Sequence, residues 1–173
     1  KFDLIYQKYI LFVGTLQPRK NILRLLEAYE ILRHENHIEE KLVIVGKRGW
    51  LWEPIEAKIK STEGVKYLNH VSDSDLQKIL AGASLLTLPA LYEGFGIPIL
   101  EAQACGTPVV CSDIPALREI TCVDTECLAK HDTRRRENAA LLANPTDPTD
   151  FAQKISQVLE DQNLRQTLIS GGL

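Results

Sequence analysis

The 173-residue chain is 45% hydrophobic and 25% charged, the balance of a globular protein with one core. Its formal net charge of −3 argues against broad electrostatic binding to nucleic acid, and no apolar run nears the roughly 18 residues of a membrane span. The opening KFDLIYQKYILFV lacks the order of a signal peptide, so Cys105, Cys111, Cys122 and Cys127 are expected as reduced thiols. The absence of Met and the start on Lys1 lead us to expect a piece of a longer protein.

Tyr9–Val13 (YILFV) is a continuous apolar run ended by Gly14, the pattern of a strand buried on both faces. Ile22, Leu25, Leu26, Tyr29 and Leu32 then recur at helical spacing. Leu42–Val45 reads as a second strand, Pro54–Ser61 as a helix and Val65–Leu68 as a third strand. Ser72 or Asp73 can cap a helix carrying Leu76, Ile79, Leu80 and Ala83. Leu85–Leu88 predicts a strand, Ile97–Cys105 a helix and Val109–Cys111 a strand. After a less regular stretch come a brief strand at Ala140–Leu142 and helices near Thr149–Asp161 and Leu164–Ser170. Alternating units of this kind predict an α/β, Rossmann-like doubly wound parallel sheet, with ligands bound beyond the carboxyl ends of the strands.

Two loops at such ends carry chemistry. Gly14-Thr15-Leu16-Gln17-Pro18-Arg19-Lys20-Asn21 places two cations before a helix start, where the dipole already favours anions, so a phosphate ligand would explain them. It matches neither GxGxxG nor a P-loop. The blander reading is a turn with two solvated charges and Asn21 as helix cap. Tyr92-Glu93-Gly94-Phe95-Gly96-Ile97-Pro98-Ile99-Leu100-Glu101 places two glycines before a helix with Pro98 in its first turn, so that amides near Gly96 and Ile97 are free for a diphosphate. Glu93 and Glu101 suit the vicinal hydroxyls of two sugars, and Glu101, set among Ile97, Leu100, Ala102 and Ala104, is expected to need a partner. Ala104-Cys105-Gly106-Thr107-Pro108 reads as a helix end, with Cys105 a small buried residue. Cys122, Cys127 and His131 form a C-x4-C-x3-H string without a clear fourth ligand, which we read as loop. Ser72-Asp73-Ser74-Asp75 reads as a helix cap rather than a metal-binding acidic cluster.

FVGTLQPRKNILRLLEAY, LVIVGKRGW, YEGFGIPILEAQACGTPVV and ALLANPTDPTDFAQKI resemble the C-terminal domain of family 4 (group 1) retaining glycosyltransferases, of the two-domain GT-B fold. The resemblance covers almost the whole chain, and its most specific element is the pair Glu93 and Glu101, separated by seven residues. It implies a nucleotide-sugar donor domain. Glu101 would bind the ribose hydroxyls, and Glu93 would sit beside the transferred sugar. Lys20, with Arg19, would contact the diphosphate. Gly14 and Thr15 would line that site, and the Gly94, Phe95, Gly96 and Ile97 segment would complete it. Gly46 and Lys47, and the stretch around His70 and Val71, match segments flanking the base.

By the same resemblance, transfer proceeds with retention, without a cofactor or an essential metal. The substrate is a GDP- or UDP-sugar, GDP-mannose first, because GTLQPRKN is similar to bacterial polysaccharide mannosyltransferases. The implied compartment is the cytoplasm, with peripheral inner-membrane attachment only through the N-terminal domain.

The chain departs from the family in three ways. Many relatives carry Arg where Thr15 stands, which leaves one phosphate cation fewer or Arg19 in its place. Residues 121–137, holding two Cys and Arg134-Arg135-Arg136, read as an inserted surface loop. The acceptor-binding N-terminal domain and the final crossing helix are expected to be lacking, so the chain alone is expected to fold and bind nucleotide weakly, without turnover. The alternatives are a GT-B epimerase or phosphorylase domain, and a non-catalytic nucleotide-binding module. A flavodoxin-like signalling domain would want an acidic cluster where Arg19 and Lys20 stand.

Overall fold

Apolar residues that run without alternation can be satisfied only between two layers of helices, and the computed structural model, which describes residues 2–121 and 139–173, places them there. The strands β1 (Tyr9–Val13), β2 (Lys41–Val45), β3 (Val65–Leu68), β4 (Leu85–Leu88), β5 (Val109–Ser112) and β6 (Leu141–Ala143) form one parallel sheet in the order β3-β2-β1-β4-β5-β6. Ile10, Leu11, Phe12, Leu42, Val43, Ile44, Leu85, Leu86, Val109 and Val110 are fully buried, whereas the edge strand β3 is only half-buried throughout.

The helices are α1 (Ile22–His34), α2 (Glu53–Ser61), α3 (Asp73–Ala81), α4 (Ile97–Ala104), α5 (Pro115–Thr121), α6 (Pro148–Glu160) and α7 (Gln162–Gly172). α1 packs against α2 and α6, and α4 against α3 and α7; α4 and α6 both lie on β4 and β5, so they take opposite faces of the sheet. In α1, Ile22, Leu25, Leu26, Tyr29 and Leu32 are buried at the predicted spacing, with Ala28 beside them.

Element ends follow local chemistry. Ser72 caps α3: its hydroxyl accepts from the Asp75 amide and donates to the Asp75 carboxylate. Asp147 and Asp161 cap α6 and α7 in the same manner. α4 ends as the residue pattern requires: Gly106, at φ +68°, donates to the Gln103 carbonyl, and Thr107 to the Ala102 carbonyl, a Schellman closure.

Two elements differ from expectation. The strand predicted at Ala140–Leu142 is shifted by one residue to Leu141–Ala143, and the less regular stretch contains α5. The insertion at residues 121–137, beyond Thr121, and with it Cys122, Cys127, His131 and the Arg134–Arg136 run, lies outside the described residues. Among the described residues no helix is long and apolar enough to cross a membrane, and no group of three His, Cys, Asp or Glu side chains could hold a metal ion.

Candidate functional site

The sheet reverses its winding between β1 and β4, and a crevice opens at the carboxyl ends of strands on either side of such a switch point. The β1 loop and the β4 loop flank it. After β1 the chain runs as Gly14–Gln17, makes a 3-10 turn at Pro18–Lys20, and enters α1 through Asn21 in the left-handed conformation, φ 57°. The basic pair therefore sits ahead of α1, as the residue order leads one to expect, on a tight turn of its own.

Lys20 and Glu93 are both buried, each 7% exposed, and the Lys20 ammonium contacts Glu93 Oε1. Arg19, with a side chain 40% exposed, reaches Glu93 Oε2 at 3.3 Å and donates to the Tyr92 carbonyl at 3.1 Å. Neither cation is simply solvated, as the blander reading had it. Two cations share one carboxylate, so among the described residues the cluster keeps one positive charge without an ionic partner. Burying a Lys–Glu pair costs several kcal/mol of desolvation, on the order of what its attraction returns. It is weak support for stability and stronger support for a site that needs charge in a dry place.

Glu93 leads into the exposed Gly94 and Phe95, and Gly96 (φ +87°) starts α4. No side chain caps that helix, its first turn holds no acidic residue, and Pro98 contributes no N–H. Ile99 donates to the Gly96 carbonyl, and among the described residues the Gly96 and Ile97 amides, at the positive end of the helix dipole, meet no acceptor. The exposed apolar side chains of Tyr92, Phe95, Ile97 and Leu100 flank this end.

The two glycines differ physically. A Cβ at Gly96 would lie 2.7 Å from Leu117 and 2.9 Å from Ile120, on a backbone that L-residues rarely adopt, while a Cβ at Gly94 meets nothing within 4 Å. Gly96→Ala is therefore expected to lower the melting temperature strongly, by about 2 kcal/mol or more in stability. Gly94→Ala should leave melting unchanged and weaken only a ligand that approaches this backbone. Paired thermal melts with and without nucleotide check both, and a large melting loss in Gly94→Ala would contradict the assignment.

Glu101 is where expectation and structure part. It is exposed, with no ion pair to another described residue: the buried side of α4 is Ile99, Ala102 and Gln103, and the apolar neighbours Ile97 and Leu100 face outward with Glu101. It needs no protein partner. It lies one turn beyond the α4 amides, lining a groove of about 550 Å³ between α3 and α4 with Gln77, Ala81, Ala104 and Cys105. Cys105 is half-buried rather than buried, its thiol pushed above the usual range by burial and by the charge of Glu101.

The remaining predicted residues sit at the β1–β3 edge. A Cβ on Gly46 would fall 1.9 Å from the Gly14 carbonyl oxygen, so this glycine lets the β1 and β2 ends close together. Gly14 donates to the Val45 carbonyl, and Leu16 to the Lys47 carbonyl. Thr15 and Lys47 are exposed and Val71 is buried at 8%. Beyond Lys47, Arg48 lies 4.5 Å from the Trp52 ring and pairs with Glu56 at 2.9 Å and 3.0 Å. Hydrogen bonds from Arg48 and Lys60 hold the Glu56 carboxyl down at about 2. Its folded value being depressed, that contribution to stability is present above the ordinary carboxylate range and is lost as pH falls towards 2. The sequence reading gave Arg48, Trp52 and Glu56 no part, and the ionic partners lie eight positions apart.

Residues 6–172 match the family model described as Glycosyl transferases group 1. The chain belongs to this family. Among relatives of this group 1 glycosyltransferase chain, the O-antigen chain mannosyltransferase B of Escherichia coli is 38% identical over 178 residues, covering 100% of this chain and 42% of the relative. The MMP alpha-(1->4)-mannosyltransferase of Mycolicibacterium hassiacum is 32% identical over 83% of the chain and 32% of its own length. The chain thus spans less than half of the relatives it matches. Among solved structures, Anabaena Alr3699/HepE in complex with UDP and glucose superposes with a TM-score of 0.78 at 19% identity, over 96% of this chain and 42% of that one. At that identity the likeness bears on the fold: the sheet is the Rossmann-like unit of the GT-B glycosyltransferases.

Proposed function

We propose that this chain is the donor-binding domain of a retaining mannosyltransferase, holding a nucleoside diphosphate sugar at the β1–β4 crevice. The observation that carries the reading is the buried Lys20–Glu93 pair, reinforced by Arg19 and three residues ahead of a helix start whose amides meet no acceptor among the described residues. The diphosphate lies against Lys20, Arg19 and the Gly96 and Ile97 amides, lined by Gly14, Thr15, Gly94 and Phe95. Glu93 stands beside the sugar and Glu101 takes the ribose hydroxyls. Gly46, Lys47 and Val71 border the base.

When the glycosidic bond breaks, negative charge grows on the departing diphosphate. Lys20, Arg19 and the α4 dipole are fixed before that moment, so they stabilise the transition state with little reorganisation. The exposed apolar rim of Tyr92, Phe95 and Ile97 is suited to exclude water once the acceptor-holding part of the protein closes over it. That part lies in the remaining length seen in the relatives, and the acceptor is a polysaccharide or lipid-linked glycan. Mannose is favoured because both relatives above are named for mannosyl transfer, and with it GDP as the carrier.

The test is transfer from GDP-mannose and UDP-glucose by the protein that contains this chain, with the anomeric configuration of the product read by NMR. The reading requires GDP-mannose to be preferred and the α configuration kept. Inversion, or transfer from the UDP-sugar alone, overturns it.

A further inference from the structure

One residue beside the cationic pair uses its side chain neither for phosphate nor to cap its helix, yet ties the β1 loop to the β4 and β6 loops. Asn21 follows Lys20 directly and holds φ 57°, ψ 33° at the start of α1, where a side-chain cap would be expected; it makes no capping hydrogen bond. Its carboxamide nitrogen donates instead to the Pro89 carbonyl of the β4 loop at 3.0 Å and to the Pro145 carbonyl of the β6 loop at 2.7 Å.

Both acceptors are the carbonyls of prolines in loops that follow strands. Pro89 lies between β4 and the turn that carries Tyr92 and Glu93, and the Leu91 amide donates back to the Arg19 carbonyl at 2.9 Å. Pro145 sits in a turn held by Asn144, whose side-chain oxygen accepts from the Thr146 amide at 3.0 Å, and by Asp147, which caps α6. The two carboxamide protons are thus aimed at two fixed carbonyls.

We propose that Asn21 is the positioning residue of the cationic pair: its carboxamide fixes the Arg19–Lys20 turn against the loop that presents Glu93, and so sets the charge spacing a nucleoside diphosphate meets. This rests on the donor-site reading above. The chemistry singles out Asn among residues that tolerate left-handed backbone. Gly accepts the backbone but leaves both carbonyls unmet. Asp has nearly the same shape, yet its ionised carboxylate only accepts and would face two carbonyl oxygens. Asn alone of the three supplies left-handed tolerance and two donors together.

The experiment compares the wild-type chain with Asn21→Gly and Asn21→Asp in two measurements. The first is calorimetric titration with GDP, GMP and guanosine, below the melting temperature of each protein. Loss of about one buried hydrogen bond's worth of order predicts a roughly tenfold weakening for GDP in Asn21→Gly, and more in Asn21→Asp, with GMP and guanosine changed less than about twofold. Equal weakening across the three ligands is a merely structural effect and overturns the assignment, as does unchanged GDP binding. The second is lysine-selective NMR of the Lys20 ammonium, which needs no ligand. Its protons should be protected from exchange in the wild type and lose that protection in Asn21→Gly. If the wild type binds no nucleotide, the donor-site reading fails, and protection kept in Asn21→Gly overturns the positioning role separately.

Discussion

Replacing Lys20 with Met is expected to weaken nucleoside diphosphate binding by about a hundredfold and to destabilise the ligand-free fold by about 3 kcal/mol. Two effects combine. The first is loss of a charge-assisted contact to the phosphates. The second is that Glu93, 7% exposed, keeps only Arg19, whose side chain is 40% exposed and reaches it at 3.3 Å. An uncompensated buried carboxylate is what makes breaking such pairs costly, and the remaining arginine puts the expected loss at the low end of the range. Denaturant unfolding and nucleotide titration measure the two parts separately. A Lys20→Met protein that melts like wild type and binds GDP equally would show that the pair is neither structural nor a phosphate site.

Glu93→Gln should move binding and transfer in opposite directions. Removing the carboxylate frees a buried ammonium and a guanidinium at once, so any anion entering the crevice neutralises more unmet charge. Affinity for GDP, which carries no sugar, is expected to rise by about three- to tenfold, and the ligand-free melting temperature to fall. If Glu93 stands beside the sugar as proposed, transfer by the whole enzyme should nevertheless drop by about a hundredfold or more. A parallel fall in GDP affinity and transfer would mean that Glu93 acts only by holding the cations in place.

The same cluster marks the limit of what could be read from the chain alone. Strand positions were legible because YILFV and LVIV contain no polar break and LLTL only the β-branched Thr87, and a sheet covered on both faces accepts such runs. Seven-residue α5 was not, since it buries just Leu117 and Thr121 and so leaves no periodic trace. The Lys20–Glu93 contact joins residues 73 apart, for which no local signal exists. Both loops were nonetheless singled out, because each holds charge or glycine at the carboxyl end of a strand.

Three readings needed geometry. Asn21 before an amphipathic helix has the sequence signature of a cap, and only its hydrogen bonds to the Pro89 and Pro145 carbonyls show that the side chain serves other loops. Glu101 stands among apolar neighbours in sequence, but a helix turns 100° per residue, and Ile99, Ala102 and Gln103 take the buried side. Gly94 and Gly96 look alike in the sequence, whereas only Gly96 is held by positive φ and close packing. The family resemblance, carried by the segment from Glu93 to Glu101, proved sound over residues 6–172.

The central claim is that a nucleoside diphosphate sits between the Arg19–Lys20 turn and the start of α4. Its most direct test is a titration of the isotopically labelled chain with GDP, followed through the backbone amides. The account predicts saturable shifts concentrated at Gly94, Gly96 and Ile97 and at Arg19 and Lys20, larger with GDP than with guanosine. Shifts confined to the groove between α3 and α4, with residues 94–97 and 19–20 unmoved, would contradict it.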